Sequence, residues 1–79
     1  MNWQDYIEQR PEIMMGKPVL KGTRLTVELI LERLADGNTV QDLLDAHPRL
    51  RPEHVRAALA YAAASLSCDE TVFLSERAG

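Results

Sequence analysis

The chain is poor in the residues that brace small proteins covalently or carry out chemistry. Its 79 residues include a single cysteine, Cys68. One thiol excludes an internal disulfide framework and any cysteine-rich zinc site. The two histidines, His47 and His54, are separated by the start of a helical pattern, so no ligand spacing for a metal emerges. No third group stands ready to orient a Cys–His nucleophile pair. The four glycines and four prolines are scattered, leaving no low-complexity linker and no internal repeat. No apolar run reaches the length of a membrane span. The N-terminal stretch MNWQDYIEQR is mixed and acidic, unlike a secretion signal. A cytoplasmic location is therefore expected. Positive charge is also in deficit: 9 Lys and Arg against 12 Asp and Glu, a net charge of −3. That balance argues against a generally basic coat for nucleic acid, but leaves room for a local basic patch.

What remains is enough for one small domain, with 46% hydrophobic and 27% charged residues. A domain of this size buries only about 60–65% of its unfolded surface. Self-association would help it, and a core plus an enclosed catalytic pocket is more than so short a chain is expected to build. No enzymatic activity and no cofactor are expected.

Local signals divide the chain into residues 1–25, a core of 26–66 and a tail of 67–79. Asn2 as cap, Asp5 in the first turn and Trp3, Tyr6 and Ile7 on one face predict a short helix over residues 2–9. Pro11 ends it. Gly16, Pro18 and Gly22 interrupt the next stretch. It reads as a very short hairpin of Val19-Leu20 and Arg24-Leu25, with Gly22 supplying the positive φ of the turn.

From Thr26 the period becomes helical. Val27, Ile30, Leu31 and Leu34 form one stripe, and Gly37 sits where a left-handed residue ends a helix, giving a first helix over about 27–36. Thr39, with Asp42 three residues on, resembles a capping box and opens a two-turn helix. Val40, Leu43 and Leu44 face inward, and His47-Pro48 stops it. Pro52 suits the first position of a third helix over about 52–66, with Val55, Ala58, Leu59, Ala62 and Leu66 inward. The predicted fold is mainly α: a tri-helical helix-turn-helix unit with a short N-terminal β-hairpin.

In such a unit the third helix reads DNA. Arg49, Arg51, His54 and Arg56 fall within eight residues opposed only by Glu53. The first turns of a recognition helix enter the groove first, and arginine grips guanine or phosphate bidentately. Lys17, Lys21 and Arg24 form a second basic group on the hairpin that can follow backbone phosphate. The bland alternative is that all seven are ordinary solvated side chains. The third helix also carries no charge from Ala57 to Ala64. A helix packed on one side should show a polar opposite face. Ala57, Ala60, Tyr61 and Ala64 are therefore the candidate face for a two-fold homodimer, which suits a pseudo-palindromic DNA site. The alternative is alanine's helix propensity alone.

The residues Gly16-Lys17-Pro18-Val19-Leu20-Lys21-Gly22-Thr23-Arg24-Leu25, then Gly37-x-Thr39-Val40-x-x-Leu43-Leu44, His47-Pro48-x-Leu50, Pro52-Glu53-x-Val55 and Ala57-Ala58-Leu59-Ala60-Tyr61-Ala62, closely resemble the small bacterial family DUF433. The similarity extends over about residues 3–74. It implies a homeodomain-like or winged-helix-like fold. For at least some members it also implies the role of a VapB-type antitoxin, which binds its own operator and neutralises a PIN-like ribonuclease toxin. The chain departs from the family pattern at Arg10, where Asp is usual, at Met15, where a glycine is common, and at Thr26, where Pro is frequent. The Gly-Lys-Pro…Gly-Thr-Arg segment has a structural reading as well, with turns at its glycines and Arg24 tying the hairpin to the helices. It is no Walker loop, because the lysine follows the first glycine.

The leading expectation is a DNA-binding regulator acting as an antitoxin. The tail segment Thr71, Val72, Phe73 and Leu74 would contact the toxin by adding a strand to a sheet edge, or would pack back on Trp3 and Tyr6. The rival expectation is a homodimeric interaction module that binds a partner protein without touching nucleic acid.

Overall fold

The computed structural model describes residues 1–67. Thr71–Leu74, the expected toxin contact, lies outside the described residues. Three helices make up nearly half of the described chain: α1 (Val27–Ala35), α2 (Val40–Ala46) and α3 (Pro52–Ser67). An antiparallel pair of two-residue strands, β1 (Ile7–Glu8) and β2 (Val19–Leu20), precedes them. The mainly helical fold with a small N-terminal sheet is thus as expected.

Each helix boundary follows from a local group. Thr26 Oγ1 accepts from the Leu29 N–H at 3.0 Å and caps α1. At the other end, Gly37 (φ 101°) allows its own N–H to reach the Leu34 carbonyl and that of Asn38 to reach the Arg33 carbonyl, the paired bonds of a Schellman ending. α2 opens with a full capping box. The Asp42 N–H donates to Thr39 Oγ1 at 3.0 Å, and the Thr39 N–H to Asp42 Oδ2 at 2.8 Å.

The N-terminal region differs from the expectation. Trp3–Asp5 forms only a 3-10 turn, and Ile7–Glu8 becomes a strand rather than the end of a helix. β2 pairs with β1 in the register Ile7 opposite Leu20 and Glu8 opposite Val19. The anticipated partner, Arg24-Leu25, is not a strand, although the turn closes as foreseen, with the Leu20 N–H donating to the Leu25 carbonyl at 2.8 Å and Val19 bridging to Thr26. Residues Met14 (φ 46°), Met15 (φ 57°) and Gly16 (φ 85°) make a left-handed turn between the strands. That conformation costs a side chain about 1–2 kcal/mol per residue.

The core gathers Ile7, Leu20, Val27, Ile30, Leu43, Leu50, Val55, Ala57 and Ala58 from every element. Burial of a side chain such as Ile30 contributes on the order of 2 kcal/mol. α3 packs on the N-terminal turn, β1, α1 and α2, and its two fully buried alanines let it approach closely. Its phase is rotated from the expected stripe. His54, Val55, Ala57 and Ala58 face inward, while Leu59 (48% exposed) and Leu66 (70%) face out.

Candidate nucleic-acid interface

The beginning of α3 is held by one side chain. His54 occupies the third helical position and is buried. Its Nδ1 accepts from the Arg51 N–H at 3.0 Å, which is half of a capping box closed by an imidazole. With Nδ1 accepting, Nε2 carries the proton and donates to the Lys21 carbonyl at 3.2 Å. The Tyr6 ring meets the imidazole edge-on at 5.9 Å. His54 therefore clamps the N-terminal segment and the turn after β2 to α3. The expectation that it contacts DNA is corrected: it is buried, and both ring nitrogens are engaged inside the fold.

The turn so anchored is rigid for reasons written in its sequence. Thr23 Oγ1 donates to the Leu20 carbonyl at 2.7 Å and accepts from the Leu25 N–H at 2.9 Å. These bonds, with the Leu20–Leu25 pair, hold Gly22 at φ 80° and Arg24 at φ 64°. Glycine takes that region freely, whereas arginine does so only under constraint. In the α2–α3 connection, Leu50 is buried and its N–H donates to the His47 carbonyl at 2.9 Å. The exposed Arg49 and Arg51 flank this anchor.

The remaining basic candidates divide into two groups. Lys21, Arg24, Arg49, Arg51 and Arg56 are all exposed, and none makes an ion pair among the described residues. Arg24 and Arg49 line one cleft of about 390 Å³, together with Glu8, Ile13, Val19, Gly22 and Thr23. Arg56 projects from the solvent side of α3, between the buried pairs His54-Val55 and Ala57-Ala58. Lys17 stands apart from this group, with its ammonium 3.2 Å from Glu28 in the first turn of α1. Glu8, Ile13 and Val19 in the lining of the cleft did not figure among the candidate site residues, and β1, which carries Glu8, was not foreseen.

The expected dimer face is also revised. Ala57 has no exposed surface, so it belongs to the core and cannot meet another chain. Tyr61 is half-buried and packs edge-on against Trp3 at 5.1 Å. Ala60 is half-buried and Ala64 exposed. Beside α3 lies an apolar groove of about 550 Å³, lined by Val27, Leu31, Ala35, Tyr61, Ala62 and Leu66, with Glu28 and Glu32 among its polar residues. Among the described residues, no group of three or more His, Cys, Asp or Glu is placed to hold a metal ion. No helix of the described residues is long and apolar enough to cross a membrane.

The family model described as a protein of unknown function (DUF433) matches residues 7–62, from β1 through the buried part of α3. The chain belongs to the DUF433 family. A relative from Sinorhizobium fredii (strain NBRC 101917 / NGR234), the uncharacterized protein y4eO, is 36% identical over 62 residues. That alignment takes in 78% of this chain but only 28% of the relative. The crystal structure of a DUF433 member from Anabaena variabilis ATCC 29413 superposes with a TM-score of 0.71 at 24% identity, covering 96% of this chain and 71% of that one. At that identity the likeness establishes the DUF433 fold.

Proposed function

We propose that this DUF433 chain is a non-enzymatic, cytoplasmic DNA-binding regulator that serves as the antitoxin of a type II pair. One observation carries the reading. Lys21, Arg24, Arg49, Arg51 and Arg56 are solvent-facing and without ion pairs among the described residues, at and beside the N-terminal end of the longest helix. That end of a recognition helix meets base edges, and neighbouring cations fix its register on phosphate. Exposed cations gathered around one helix end raise the local potential of an otherwise acidic protein and would draw a polyanion to it. The partner in the pair is a PIN-like ribonuclease, engaged by Thr71–Leu74 as an added strand. Two copies associate through the exposed side of α3, with Ala60 and Ala64 in the contact.

The test is equilibrium binding to duplex DNA taken from upstream of the chain's own gene. With four to six phosphate contacts, log K should fall against log salt with a slope of about −4 to −5. The Arg51→Ala/Arg56→Ala variant should bind at least ~10-fold more weakly. Wild-type affinity in that variant would remove α3 from the interface. A PIN-like ribonuclease should be encoded beside the gene; co-expression of the chain should relieve its toxicity, removal of residues 71–79 should restore it, and a neighbour of another kind would overturn the antitoxin role.

A second reading has its own support. Leu59 and Leu66 are exposed on α3, and Leu66 lines an apolar groove, which suits a homodimeric module that binds only protein. Absence of salt-dependent DNA binding in a folded sample would favour it.

A further inference from the structure

We infer that the cleft between the Lys21–Leu25 turn and the α2–α3 connection seats a single phosphate group, shared by the guanidinium groups of Arg24 and Arg49. The inference rests on the DNA-binding reading and sharpens it, turning a diffuse basic surface into one built position. Three observations carry it.

The first is co-location. Arg24 and Arg49 lie 25 positions apart in sequence yet line the same cleft of about 390 Å³. Neither forms an ion pair among the described residues. Two guanidinium forks on one concavity match the tetrahedral oxygens of a phosphate better than two solvated lysines would.

The second is constraint. Arg24 sits at φ 64°, in the left-handed region. Strain of this kind persists only where surrounding bonds over-determine it, and it gathers at ligand-binding positions. Here Thr23 bonds to both Leu20 and Leu25, and His54 holds the Lys21 carbonyl. The turn that presents Arg24 is thus tied directly to the start of α3.

The third is the rest of the lining. Ile13 and Val19 are apolar, and the carboxylate among the lining residues, Glu8, is already paired with Arg10 at 3.6 Å. The two guanidinium groups are therefore the charged partners the cleft offers an anion. The source of the phosphate is either the DNA backbone or a free phosphate.

Two measurements on the full chain separate these sources. The variants are Arg24→Asn, because asparagine tolerates the left-handed region, and Arg49→Gln. Circular dichroism and the melting curve verify that they fold. In the first measurement, inorganic phosphate is titrated against the 15N-labelled chain. The Gly22, Thr23 and Arg24 amides and the Arg49 Nε–H should shift and saturate in wild type, and stay still in the double variant.

In the second, salt slopes are measured on upstream DNA. One phosphate held by two arginines predicts that each single variant leaves the slope nearly unchanged, while the double variant lowers it by about 0.9 and weakens binding roughly 10- to 100-fold. Single variants that each remove about 0.9 would mean two separate phosphates and would overturn the shared seat. DNA binding with no response to phosphate and no effect of the double variant would also overturn it, with the DNA reading intact. Shifts with phosphate in a chain that binds no DNA would keep the seat as a free-phosphate site and overturn the DNA reading.

Discussion

The two halves of α3 obey different rules. From Pro52 to Ala58 the helix is wedged into the fold, with His54, Val55, Ala57 and Ala58 all buried. From Leu59 to Ser67 it carries no charged residue, yet Leu59, Ala63, Ala64, Ser65, Leu66 and Ser67 are exposed. The first half earns its order from tertiary contact, and the second from alanine's propensity and whatever meets it. Composition points the wrong way about the switch, because the charged residues Glu53 and Arg56 lie in the buried half and none lies in the exposed half. The lesson is that an uncharged helix need not be a buried one.

The sharpest way to break the contrast is at His54. Replacing it with Ala leaves the Arg51 N–H and Lys21 carbonyl without their partners, and should destabilise the fold by about 2–4 kcal/mol in a denaturant titration. Loss below about 0.5 kcal/mol would mean that water replaces the imidazole freely. Next is Ala58→Leu, which overfills a fully buried site and should cost about 1–3 kcal/mol. The same enlargement at Ala63, in the second half, should change stability by less than ~0.5 kcal/mol. Smallest in stability is Leu59→Gln, within ~0.5 kcal/mol of wild type. Light scattering gives that variant its value. A dimer through the exposed side of α3 should shift to monomer mass, and an unchanged dimer would place the contact elsewhere.

Legibility tracked the range of the interactions. Thr26, Thr39 with Asp42 and Gly37 announce helix ends through bonds to residues within five positions, and Pro52 does so through its fixed φ; the structure places all three helices within a residue or so of where those signals put them. The pairing of Ile7–Glu8 with Val19–Leu20 leaves no such trace. Two-residue strands have no usable period, and their partner is chosen by the core. Helix phase failed in α3 for a related reason: with apolar residues on every side of Ala57–Ala64, periodicity fixes no direction. The basic cluster was legible as a cluster. His54 was misread within it because a buried imidazole and a DNA-facing one look alike in sequence, and Arg24 and Arg49 could be joined only once the turn was seen against the α2–α3 connection.

The left-handed turn at Met14–Gly16 has an engineering consequence. Met15 is 92% exposed at φ 57°, so its side chain contributes almost no packing while its backbone resists the shape it is given. Met15→Gly should raise stability by about 1 kcal/mol, a gain of about 4–8 °C in melting temperature for a domain this small. The position is a thermostability reserve left unused, reachable by one substitution that removes no buried contact.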